Sequence, residues 1–146
     1  MHKRVVLLIL FVGCINTITG QILNPLRSKE WDIIAHLYYK SDGKGKMVPV
    51  YPPDLQQLHN KNVILPGYMI PIRASMAHTN FLLSVLPLEQ CGFCGTDNFP
   101  IMIETFVAKP LRYTDKVMRV EGKLILNLSR ERGKAEITLI DAHIVD

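Results

Sequence analysis

Val117-Met118-Arg119-Val120-Glu121-Gly122-Lys123-Leu124-Ile125-Leu126-Asn127 alternates along its length. Met118, Val120, Gly122, Leu124 and Leu126 share one face, while Arg119, Glu121 and Lys123 share the other. Successive strand side chains point to opposite faces, so the pattern is that of a half-buried antiparallel strand. Four more strand-like segments run over Val63–Ile72, Thr79–Leu86, Ile101–Ala108 and Ala135–Val145. Gly67 and Gly122 interrupt them, as glycines do where a small barrel bends sharply. Ser129-Arg130-Glu131-Arg132-Gly133-Lys134 reads as a polar hairpin loop. The expected fold class is mainly β: a small five-stranded antiparallel OB-like barrel with a short N-terminal helix.

That helix is expected from Lys29 to about Leu37. Ser28 is placed to cap it, Glu30 and Asp32 fall in its first turn, and Trp31, Ile34, Ala35 and Tyr38 recur at helical spacing. Trp31 reads as a core anchor. Tyr38-Tyr39-Lys40 and Met47-Val48-Pro49-Val50-Tyr51 flank a turn containing Asp42-Gly43 and Gly45, which predicts a hairpin with Pro49 at an edge. Pro52 to Leu58 reads as one or two helical turns, with proline at the start.

The first twenty of the 146 residues read differently. His2-Lys3-Arg4 is basic and Val5 to Val12 is an unbroken apolar run. The run is shorter than the roughly 20 apolar residues that span a bilayer, and the pattern is that of a secretory signal. Cleavage after Gly20 would leave residues 21–146 as one OB-like domain. Cleavage before Cys14, after Phe11-Val12-Gly13, would leave a lipid-anchored protein. The expected location is therefore exported, periplasmic or cell-envelope associated, with membrane attachment only through a lipidated Cys14. Without Lys3 and Arg4 the net charge falls from +4 to +2.

Export places the remaining thiols, Cys91 and Cys94, in an oxidising compartment. They lie in Cys91-Gly92-Phe93-Cys94-Gly95, directly after the Phe81 strand. Two thiols at i and i+3 between flexible glycines can turn toward one point, as in half a tetrahedral zinc site. His78, Asp97 and Glu104 are the candidates for further ligands. Eight extended residues span roughly 26 Å, so His78 meets the cysteines only if its strand folds back. The alternatives are a structural disulfide and a redox-active pair. No helix is expected after Cys94 to depress a thiol pKa, and Gly95 in place of His excludes the usual covalent haem motif. His59, His78 and His143 otherwise read as surface histidines.

Val63 to Ile72, Phe81-Leu82-Leu83-Ser84, Cys91 to Gly95 and Glu104 together resemble a group of exported bacterial domains of unknown function. Its members are similar in order: a Gly-Tyr-Met-Ile-Pro strand, a Phe-Leu-Leu strand, a Cys-x-x-Cys-Gly loop and a returning strand with an acid. The likeness runs from Trp31 to Asp146. It implies an OB-like barrel and no settled activity. The chain departs from the group at Gly92, where relatives often carry an aromatic, and at Thr96-Asp97-Asn98-Phe99-Pro100.

Catalytic constellations do not stand out. Ser84 lacks a nucleophile-elbow context, no carboxylates are paired by spacing, and no phosphate-binding glycine loop occurs. Phe93, Phe99, Phe106 and Tyr113 alternate with Lys109, Arg112 and Lys116, but a charge of +2 on an exported chain argues against nucleic acid. The functional expectation is an exported binding module of the envelope, taking a metal ion such as zinc, a small ligand or an envelope protein. A thiol-disulfide accessory protein using Cys91 and Cys94 is the alternative, and a purely structural envelope domain the third reading.

Overall fold

The computed structural model describes residues 24–93 and 101–146. The predicted leader Met1–Gly20, with Cys14, lies outside the described residues, as do Cys94 and Asp97. Helix α1 (Lys29–Ile34) is followed by strands β1 (Tyr38–Ser41) and β2 (Met47–Val50), then by helix α2 (Pro53–Gln56). Strands β3 (Lys61–Pro71) and β4 (Ala77–Ser84) lead to a 3-10 helix, Leu88–Phe93. Strands β5 (Met102–Arg112), β6 (Met118–Leu126) and β7 (Ile137–Val145) complete the chain.

The last five strands close into a barrel in the order β3-β4-β5-β7-β6, with β6 pairing back onto β3. This is a Greek-key barrel of the OB type. The all-antiparallel expectation needs one correction: β5 and β7 run parallel. The reason is parity. Neighbours can alternate in direction all the way round a closed ring only if their number is even, so five strands require a parallel pair.

The alternation of β6 is realised as read: Met118, Val120, Leu124 and Leu126 are buried. Phe81, Leu83, Ile103 and Leu139 meet them in the barrel interior, each at most 2% exposed. The two strand glycines serve close approach. At Gly122 an added Cβ would lie 2.8 Å from Leu139 Cγ and 3.0 Å from the Ile140 carbonyl oxygen. The β6–β7 register shifts there, and Asp141 of β7 takes a φ of 52°. Gly67 marks a corner, since β3 pairs with β6 through Gly67 and with β4 from Tyr68 onward.

Trp31 and Leu55, from α1 and α2, are both buried in this core. The Trp31 indole N–H donates to the Pro66 carbonyl at 2.7 Å, and the Ser28 hydroxyl accepts from the Trp31 amide at 3.2 Å. Helix α1 stops at Ile34 rather than Leu37 because the next amides switch to i→i−3 bonds, His36 to Ile33 and Leu37 to Ile34. Strand β5 continues past Ala108 to Arg112, with Pro110 inside a bulge. Its pairing with β4 skips from Phe106 to Leu111, so the missing proline N–H breaks no ladder bond. Strands β1 and β2 form a separate two-stranded ribbon.

Candidate functional site

Every second residue of the barrel wall faces outward. Across β4, β5, β7 and β6 the register aligns Leu82, Glu104, Thr138 and Ile125 in one row. Asn80 pairs with Phe106 in the next row. These side chains stand on the outside of the wall, since Phe81, Ile103, Thr105 and Leu139 fill its inside.

Glu104 occupies the junction of three surface depressions. One, of about 520 Å³, is floored by Phe106, Ile125, Thr138 and Ile140 and rimmed by Asn127 and Lys134 of the β6–β7 loop. A second, of about 460 Å³, lies toward α1 and β1 and is lined by Leu37, Tyr39, Leu82 and Glu136. The third reaches the β3–β4 turn, past Asn80 and His78 to Ser75 and Arg73. Glu104 borders all three.

The Asn80 amide nitrogen donates to Glu104 Oε1 at 2.9 Å. This holds the carboxylate across the strand pair and, among the described residues, leaves its second oxygen to accept from outside. Asn80 Oδ1 is buried with no hydrogen-bond partner among the described residues. Phe106 stands beside the pair, 39% exposed, with its ring unused by the core. At the second depression, burial and then the Glu136 carboxylate push the Tyr39 phenol above its ordinary value. The Tyr51 phenol is raised for the same reasons. Its hydroxyl lies 3.3 Å from the carbonyl oxygens of both Asn127 and Glu136, bracing the base of the β6–β7 loop.

The candidates from sequence are distributed unevenly. His78 and Glu104 line the same depression. Cys91 belongs to the 3-10 helix that follows the far end of β4. His78 and Ser84 are six residues apart on that strand, roughly 20 Å, so the strand keeps His78 and Cys91 at opposite ends. Among the described residues no group of three or more His, Cys, Asp and Glu side chains is close enough to hold a metal ion. The histidines differ from the surface reading in two cases. His78 is only 5% exposed, and His59 Nδ1 accepts from the Leu126 amide at 3.0 Å. His143 is exposed and faces Glu121 at 3.8 Å.

Asn80, Thr138, Ile125 and Ile140 belong to no motif that sequence reasoning picks out. The available signal is the outward set of β5, where an acid and an aromatic, Glu104 and Phe106, stand two residues apart. No protein-family model matches the chain, and no curated protein or solved structure is significantly similar to it.

Proposed function

We propose that the chain is an exported binding module of the cell envelope that takes an oligosaccharide on the outer face of β4, β5 and β7. The observation that carries this reading is the position of Glu104, shared by three contiguous depressions and held by Asn80. The surface is long and open, which suits a segment of polymer better than an enclosed small molecule. A carboxylate at its centre repels phosphate and carboxylate groups. It also makes strong charge-assisted hydrogen bonds with hydroxyls. The Phe106 ring offers a flat apolar surface to the C–H face of a sugar. On barrels of this type, the corresponding strands and loops commonly serve as the ligand surface.

The test is titration of 15N-labelled protein with oligomers of glucose, N-acetylglucosamine and galactose, followed by amide chemical shifts. At least one series should move Asn80, Glu104, Phe106 and Thr138 together. Glu104→Gln should weaken that ligand about tenfold, the equivalent of one charge-assisted hydrogen bond. Shifts confined to other surfaces, or none with any series, would overturn the reading.

A further inference from the structure

The barrel end away from the helices carries a second surface of different chemistry. The β3–β4 turn (72–76) and the β5–β6 turn (113–117) lie together there, because Ala77 of β4 pairs with Arg112 of β5. The end of β7 joins them, since Val145 pairs with Arg119 of β6. Ile72, Met76, Tyr113, Val117 and Ile144 are all exposed at this end, and Met76 reaches 87% exposure. Single exposed apolar residues are ordinary, but five on adjoining segments form a set.

Charge is concentrated at the same place. Residues 72–76, 109–119 and 141–146 contain Arg73, Lys109, Arg112, Lys116 and Arg119 against Asp115, Asp141 and Asp146, a net +2. Residues 21–146 as a whole carry +2, so these segments hold all of the excess and the rest of that stretch is balanced. The basic excess therefore sits among the exposed aliphatic tips.

We propose that this end of the barrel docks on an anionic lipid bilayer. Met76, Ile72 and Val117 would enter the headgroup boundary, where aliphatic tips leave water. Tyr113 would lie at the interface, with its ring among the acyl ends and its hydroxyl in water. Arg73, Lys109, Arg112 and Lys116 would sit at the level of the lipid phosphates. The arrangement needs no lipidated residue. The Arg73 depression opens beside the docking tip, so the outer face around Glu104 would be presented next to the membrane.

Tryptophan placed at the tip tests this in the full chain, since Trp31 is buried and supplies a constant background. Met76→Trp should shift its emission to the blue, and become quenchable by brominated lipid, on addition of phosphatidylglycerol-containing vesicles. Arg132→Trp, in the β6–β7 loop at the opposite end of β6, should do neither. Both variants carry the same N-terminal segment, so attachment through that segment produces no difference between them. Arg73→Glu with Arg112→Glu should lower the partition of Met76→Trp protein onto these vesicles about tenfold or more, and added salt should do the same. Equal signals at positions 76 and 132 would overturn the proposal, as would equal partition onto phosphatidylcholine alone. A matching blue shift with soluble polyglutamate would reassign the surface to an acidic protein.

Discussion

The inside and outside of one wall behave as two different materials. On the inside, Phe81, Leu83, Ile103, Leu124 and Leu139 are shut away from water and packed on one another. On the outside, one residue along each strand, Leu82, Glu104, Ile125 and Thr138 form a partly exposed row that none of the described elements covers fully. The backbone is common to both. The difference shows that this barrel closes on its interior alone, leaving the outer residues free of packing duty. An acid bridged to an amide beside an open aromatic ring has no part in that closure.

The hardest blow to the comparison should come from the inside. Leu124→Ala removes a side chain with no solvent exposure and should cost about 2–5 kcal/mol in urea unfolding. A loss below about 1 kcal/mol would mean that the interior is not close-packed, and the contrast with the outside would disappear. Gly122→Val should come next, at about 1–3 kcal/mol, because even its Cβ strikes Leu139 and the Ile140 carbonyl. Thermal melting of Gly122→Val beside a Gly133→Val control separates the two glycine roles. Gly133 has a φ of 78° but open space around it, so its cost is backbone strain alone.

The inside is legible in the sequence because burial writes itself as a period. The alternation of Met118, Val120, Leu124 and Leu126 marks the strand, and five such segments make the barrel. Strand direction is not legible in the same way, since a period of two reads identically for parallel and antiparallel neighbours. The outside is legible only in fragments. Glu104 stands out as an acid near the cysteines, whereas its partner Asn80 lies 24 residues away and meets it through strand register. His78 looks like any exposed histidine because its burial comes from the bulge between His78 and Asn80, which polar and apolar spacing does not encode.

An outside substitution should separate binding from folding. Glu104→Gln keeps the side-chain size and an acceptor for the Asn80 amide. Unfolding free energy should stay within about 0.5 kcal/mol of wild type, as for surface changes that remove no cap, core or network. Oligosaccharide affinity should nevertheless fall. A stability loss as large as that of Gly122→Val would place Glu104 in the structural half of the molecule and undo the division between the faces.

The smallest effect should come from a contact that belongs wholly to the solvent side. His36, just after α1, donates from Nδ1 to Asp54 of α2, linking the two helices over the core residues Trp31 and Leu55. The hydrogen bond from His36 holds the Asp54 carboxyl below its usual 3.8, with the Leu55 amide helping. A depressed carboxylate pKa stabilises the fold above the unfolded value, and that contribution is lost as pH falls through the folded value. Wild type should therefore exceed Asp54→Asn in stability at neutral pH by a margin that closes below about pH 4. Both side chains are exposed to solvent, so screening keeps the margin small and added salt should shrink it further. Paired urea titrations of the two proteins across the acid range measure it. A margin that persists unchanged at low pH would show that the substitution harms the helix start itself, where Asp54 Oδ1 accepts from the Leu55 amide at 2.9 Å, rather than the link between the helices.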